Sequence, residues 1–254
     1  MSYAVSSNLA IHRHQLPSQI HMDVDEIRAI LQQLGDRRRA EVSRRFFKTG
    51  PGEYGEGDIF LGISVPELRE LAKECPDLVT EQAEQLLHSA IHEERLLALL
   101  LLVRLYAKGT EAEKKRIYAL YLNNTRWINN WDLVDASAPH IIGAYLRHRS
   151  KQPLYRLARS PLLWERRISI IATFHFIRHN EFAETLEIAR MLLDDREDLI
   201  HKATGWMLRE VGKRHLPSEE EFLHKYCHRM PRTMLRYAIE KFPEAKRKKF
   251  LSPL

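Results

Sequence analysis

The chain has 254 residues, 44% hydrophobic and 29% charged, enough for one large soluble domain or two small ones and for a substantial core. Its longest apolar run, 96–103, lies between Arg95 and Arg104 and is too short to cross a bilayer; Cys75 and Cys227 are far apart and imply neither a disulfide framework nor a CxxC site. A formal net charge of +6 points toward polyanionic partners, although many soluble proteins are mildly basic.

Residues 1–22 are polar and aperiodic and contain no apolar core of a signal peptide, so a flexible tail is expected there, followed by a single domain over 23–254. Val24, Ile27, Ile30, Leu31 and Leu34 recur at helical spacing, and Gly35 ends that helix. An arginine-rich helix follows over 37–47. Residues 48–58 (KTGPGEYGEGD) hold four glycines and a proline and predict a loop. No Gly-Lys-Ser/Thr follows, so it is no phosphate-binding P-loop; it is a connector or, alternatively, a ligand-contacting loop. Residues 59–63 suit a short strand or an apolar lead-in, and Ser64, Pro66 and Glu67 read as cap, first-turn proline and first-turn acid of a helix to Cys75.

From there the helices come in pairs. One member of each pair begins near His92, Asn130, Pro161, Glu197 and Pro231, at spacings of 38, 31, 36 and 34 residues. Partner helices fall over 111–122, 152–159, 181–193 and 218–228. A helix-pair repeat of this period predicts an all-α fold, a stacked HEAT-like α-solenoid. The basic end, 244–249, suits a solvated last helix.

The stretch NWDLVDASAP (130–139) carries the grammar of a helix start. Asn129 or Asn130 can cap it, and Trp131 and Asp135, four apart, share a face. Pro139 cannot donate to the carbonyl of Asp135, so the helix should distort beside that carboxylate. Taken alone, this is as readily a buried aromatic with an acid that favours the helix dipole. The equivalent helices add Trp164, Arg166 and Arg167, then Lys202, Trp206 and Arg209, then Arg232 and Arg236. Lined up on one concave surface, indoles interleaved with Arg and Lys around one carboxylate read as a nucleic-acid groove. Trp164 and Trp206 could each be core residues instead, and Trp164, early in its helix, reads better as core.

Other constellations are weaker. His224, Cys227 and His228 lack a fourth ligand, and Asp194, Asp195, Glu197 and Asp198 suit a helix start better than a metal site. Ser137 and His140 lack a nucleophile elbow, and there is no HExxH.

Over residues 24–241 the chain resembles the HEAT-like-repeat DNA alkylation repair family, of the AlkD alkylpurine glycosylase type. The motifs that carry the likeness are FLGISVPELR (60–69), WDLVD with Pro139, WERR-x-S-I (164–170) and HKATGWMLREVGK (201–213). The resemblance implies a C-shaped right-handed solenoid with duplex DNA in a concave basic groove. It also implies hydrolysis of the N-glycosidic bond of positively charged N3- and N7-alkylpurines, without a metal or organic cofactor. Carried over, the catalytic carboxylate falls on Asp135, the backbone-contacting tryptophans on Trp131 and Trp206, and the active-site arginine on Arg167. Trp127, Arg166, Lys202, Arg209 and Arg236 are expected DNA contacts. The expected partner is double-stranded DNA containing alkylated purines, met by a cytoplasmic, nucleoid-associated monomer without membrane association. Two features depart from the pattern: the 48–58 loop looks like an extension relative to the shortest members, and Trp127, expected one helix turn before Trp131, has no counterpart. Relatives lacking the aspartate are thought to bind DNA without excising bases, so a non-catalytic DNA binder on the same scaffold is the alternative. A peptide-binding HEAT adaptor would have no need of Asp135.

Overall fold

The computed structural model describes residues 22–75 and 77–252, and the tail expected over 1–22 lies outside the described residues except for Met22. The helices are α1 (Val24–Leu34), α2 (Arg37–Phe46), α3 (Val65–Glu74), α4 (Thr80–Leu87), α5 (His92–Lys108), α6 (Glu111–Asn123), α7 (Trp131–Ala138) and α8 (Ala144–Leu146). They continue as α9 (Gln152–Leu157), α10 (Leu163–Ala172), α11 (Phe174–Ile177), α12 (Ala183–Met191), α13 (Asp198–Arg214), α14 (Leu216–Tyr226), α15 (Arg232–Ala238) and α16 (Glu244–Leu251).

The starts follow local chemistry. Asp23 and Glu26 form a reciprocal capping box on α1, and Thr110 and Glu113 do the same on α6. At α3 the Glu67 carboxylate accepts from the Ser64 N–H at 2.8 Å, with Pro66 in the first turn. The helices then stack as the repeat predicts. α5 packs on α7, α7 on α10, α10 on α13 and α13 on α15, while α6, α9, α12 and α14 back them. The fold is an α-solenoid, and one continuous apolar core runs from Val24 to Phe242.

α5 is buried on nearly every side, which explains its run of leucines. Its first turn is buried too, although it reads His-Glu-Glu-Arg. The reason lies in the segment before α3. Residues 59–63 are irregular, with Ile59 in an isolated parallel bridge to Ile91, so they are neither a strand of a sheet nor part of a helix. The Glu93 carboxylate accepts from the N–H groups of Leu61, Gly62 and Ile63 at 2.9, 2.7 and 3.3 Å. Gly62 has φ +82°, and a Cβ there would strike the backbone of α2 at Ala40 and the Asp36 carbonyl. The LGI turn of the 60–69 motif is therefore a docking piece between α2 and α5.

Candidate functional site

Asn130 is fully buried and caps α7: its Oδ1 accepts from the Trp131 N–H at 2.8 Å. Trp131 opens the helix and Asp135 sits one turn on. At Pro139 the chain leaves α-helical geometry and widens into a π turn, Pro139–Gly143. That is the distortion a proline without an N–H should impose next to Asp135. Gly143 lets this turn approach α10, since a Cβ there would strike the Ala172 carbonyl.

Arg167 reaches from α10 to Asp135. Its Nε donates to Oδ1 at 3.0 Å and its Nη2 to Oδ2 at 2.8 Å, while Nη1 donates to the Leu199 carbonyl at 2.6 Å. One guanidinium thus ties α7, α10 and the start of α13 together. The Asp135 side chain keeps 17% of its exposure and that of Arg167 6%. Burial pushes the Asp135 carboxyl above the usual range, and the Arg167 charge and hydrogen bonds pull it back.

Arg167 also lines a cavity of about 580 Å³. Phe46, Lys48, Tyr54 and Trp131 line it from α2, the 48–58 loop and α7, and Lys202, Trp206, Arg209 and Tyr237 line it from α13 and α15. The Trp131 ring stacks on Phe47 at 5.3 Å and meets Phe46 edge-on at 5.8 Å. Trp206 is half-buried and donates Nε1–H to Glu210 at 3.1 Å. Lys202 pairs with Asp198 at 2.7 Å, and Arg209 pairs with Glu240 and lies 3.7 Å from Glu210.

The structure therefore brings Trp131, Arg167, Lys202, Trp206 and Arg209 to one cavity, with Asp135 directly behind Arg167. Three residues expected beside them are elsewhere. Arg166 points away from Arg167, as neighbours in a helix must. Its Nε donates to Asp195 at 2.6 Å and its Nη1 to the carbonyls of Ser160 and Pro161, so its charge is answered inside the protein. Trp127 is not one helix turn before Trp131, because the chain breaks between the 3₁₀ turn Thr125–Trp127 and α7. Its indole packs on His88 at 5.3 Å and on the Arg126 guanidinium, away from the cavity wall. Arg236 is exposed on α15 but does not line the cavity. Trp164, expected in the core, is half-buried against it, and its ring also meets Tyr54 edge-on at 6.0 Å.

Sequence reasoning missed Phe46, Tyr54, Tyr237 and a buried polar cluster below Trp131. The His92 ring bridges Asp132 at 2.8 Å and Asp58 at 3.3 Å, Arg95 donates to Asp58 at 2.7 Å, and Asn130 donates to Asp58 at 3.4 Å. Tyr54, the one aromatic among the loop's glycines, was the available signal. The loop is not a bare connector: its Tyr54 and Lys48 wall the cavity. Glu53 and Glu56 accept from the N–H groups of Gly50 and Gly52, which fixes its shape. No spacing rule links Asp58 with His92 and Asp132.

Among the described residues no group of three or more His, Cys, Asp or Glu side chains could hold a metal ion, and no helix is long and apolar enough to cross a membrane. Both described cysteines are free.

Stacked helix pairs with a cavity walled by indoles and cations define a helical-repeat scaffold built around a groove of aromatic and basic side chains. Residues 27–242 match the family described as DNA alkylation repair enzyme, and the chain belongs to that family. No functionally curated protein matches the sequence. Among solved structures the chain is similar to a predicted DNA alkylation repair enzyme from Enterococcus faecalis. The two are 18% identical with a TM-score of 0.63, over 83% of this chain and 97% of that one. It is also similar to smu.31 from Streptococcus mutans UA159, at 16% identity and a TM-score of 0.50, over 84% of this chain and all of that one. At these identities the two structures speak for the fold alone.

Proposed function

We propose that this protein is a DNA glycosylase that hydrolyses the N-glycosidic bond of cationic N3- or N7-alkylpurines in duplex DNA. The observation that carries the reading is the Asp135 carboxylate, 17% exposed and fixed directly behind Arg167, which lines a cavity together with Trp131 and Trp206. An N3- or N7-alkylpurine is already positively charged, so it departs without being protonated. As the bond breaks, the sugar becomes oxocarbenium-like, and a carboxylate near C1′ stabilises that charge and orients the water that attacks it. Water then adds at C1′, the base leaves neutral, and the proton released by the water passes to the carboxylate or to solvent. The two indoles offer flat, electron-rich faces to the deoxyribose and its developing charge. Lys202 and Arg209 line the same cavity and suit DNA phosphates.

One observation favours a second reading, a non-catalytic binder of damaged or branched DNA: both Asp135 oxygens already accept from Arg167. A single experiment separates the two. Duplex DNA carrying N7-methylguanine is incubated with wild-type protein and with Asp135→Asn, and free base is quantified in single turnover. Release by the wild type that Asp135→Asn loses supports the glycosylase. Tight DNA binding without release by either protein moves the assignment to the binder.

A further inference from the structure

The polar cluster below Trp131 is an expensive thing to bury. Asp58, His92 and Arg95 are each under 9% exposed and Asn130 is fully buried, yet none of them reaches the cavity. The cluster joins three separate elements: the end of the glycine loop through Asp58, the first turn of α5 through His92 and Arg95, and the start of α7 through Asn130 and Asp132.

Its geometry fixes a charge state. A neutral imidazole has one N–H, but both ring nitrogens of His92 face carboxylate oxygens, at 2.8 and 3.3 Å. A carboxylate accepts and does not donate, so both nitrogens must carry hydrogen. His92 is an imidazolium, and with Arg95 it balances Asp58 and Asp132.

Its position relative to Trp131 is equally specific. Asn130 and Asp132, the residues on either side of Trp131, both belong to the cluster. Asn130 bonds Asp58 with its amide and the Trp131 N–H with its oxygen, while Asp132 bonds His92. The side chain is held as well. The His92 ring stacks on Phe60 at 4.5 Å and lies 5.0 Å from Phe47, and Phe47 stacks on the Trp131 indole. Backbone and ring of Trp131 are thus referred to one charged group.

We propose that His92, clasped as an imidazolium between Asp58 and Asp132, is a positioning residue that sets the Trp131 indole at the cavity wall. The consequence for base release rests on the glycosylase reading above; the placement of Trp131 does not. The groups that face His92 are Asp58 from the loop, Asp132 from α7 and Arg95 from its own helix. Burial opposes the charged ring, but the hydrogen bonds it donates to Asp132 and Asp58 outweigh burial and Arg95 repulsion, and the His92 pKa is pushed up to about 9. The clasp is closed at neutral pH. A raised histidine pKa gives a contribution that is complete below about 6.5 and lost as pH rises through about 9.

The test uses the full chain labelled with 5-fluorotryptophan, with the Trp131 fluorine signal assigned by Trp131→Phe. In the wild type that signal shifts with a midpoint near pH 9, while the Trp164 and Trp206 signals stay put. In His92→Gln the Trp131 signal is displaced or broadened at every pH and does not titrate. Asp132→Asn, which keeps the histidine but removes a carboxylate, lowers the midpoint by at least about one pH unit, and it carries the test if His92→Gln does not fold. Base release from N7-methylguanine duplex falls about 10- to 100-fold in His92→Gln with DNA affinity unchanged, and the alkaline limb of the wild-type rate disappears. A Trp131 signal that ignores pH, or a His92→Gln protein with wild-type signal and rate, overturns the proposal. If no protein releases base while Trp131 still titrates near pH 9, the glycosylase reading falls and the clasp stands.

Discussion

Asp135 and Glu219 are two acids raised above the usual carboxylate range by burial, one near each end of α13. At Asp135 a guanidinium answers both oxygens, and α7, α10 and α13 converge on the pair. At Glu219 the residue is 2% exposed, Oε1 has no hydrogen-bond partner among the described residues, and the carboxyl lies over Gly212, where a Cβ would collide with it. Arg209 and Lys246 are near enough to lower its pKa but do not bond it, and burial with Glu220 and Glu210 pushes it up to about 8. The same desolvation therefore has two outcomes. With a fixed partner, burial is opposed by a guanidinium that bonds both oxygens and itself lines the cavity. Without one, the group holds its proton and its charged form destabilises the fold.

Removing the answered charge should have the largest effect. Asn at position 135 is nearly isosteric, so the helix and its π turn survive and the negative charge goes. On the glycosylase reading that charge acts as the sugar turns cationic, so the loss is expected to fall on rate and not on DNA affinity. Single-turnover release of N7-methylguanine is expected to drop by about 10²–10³. On the same reading the ionised form is the active one, and because its pKa is raised the wild-type rate should fall on acidification at a higher pH than an ordinary aspartate would give. Equal rates for the two proteins would break the comparison at its catalytic end.

Removing the unanswered charge should do the reverse. For an acid whose folded pKa is raised, stability is complete below the unfolded value and is lost as pH climbs to the folded one, here from about 4.5 to about 8. Glu219→Gln keeps the shape and removes the titration. It is expected to stabilise the protein by about 2–4 kcal/mol at pH 8 and to matter little at pH 5, as read by chemical denaturation at the two pH values. A variant with the wild type's pH dependence would mean that Glu219 finds a partner in solution.

The helix-pair repeat was legible because amphipathic periodicity, caps and glycine stops are local signals, and helix starts fell within two residues of the expected ones at α5, α7, α10, α13 and α15. The Trp131 and Asp135 face was legible for the same reason. The clasp was not, since His92 sits at the head of a leucine run and looks like a polar flank until the 48–58 loop folds back over it. Nor could spacing say which of two adjacent arginines faces the cavity: Arg166 and Arg167 differ in what the next helix offers them, an Asp195 beside one and an Asp135 beside the other.

Arg166 extends the comparison to cations. Its pair with Asp195 is mostly buried, at 16% and 6% side-chain exposure. Arg166→Gln leaves Asp195 without a counter-charge and is expected to cost about 1–3 kcal/mol of stability in a denaturant melt. Its charge is turned inward, so the salt dependence of DNA binding should not change. A shallower salt slope would show that Arg166 leaves Asp195 for a phosphate.

Lys202 is the smallest and most discriminating case. Its pair with Asp198 is a helical i,i+4 contact at 40% and 57% side-chain exposure, the kind of ion pair that contributes little in water. Lys202→Gln should therefore leave the denaturation midpoint almost where it was. The ammonium does line the cavity, and if it meets a phosphate there it displaces one condensed counterion. Plotted as log affinity against log salt, undamaged duplex binding should lose about 0.9 from the slope in Lys202→Gln, with weakening uniform across DNA sequences because a phosphate carries no sequence information. The Arg166 and Lys202 variants are thus expected to move opposite quantities, stability for one and salt slope for the other. An unchanged slope in Lys202→Gln would place the DNA backbone away from this wall of the cavity, while a stability loss as large as that of Arg166→Gln would show that Lys202, too, is answered from within.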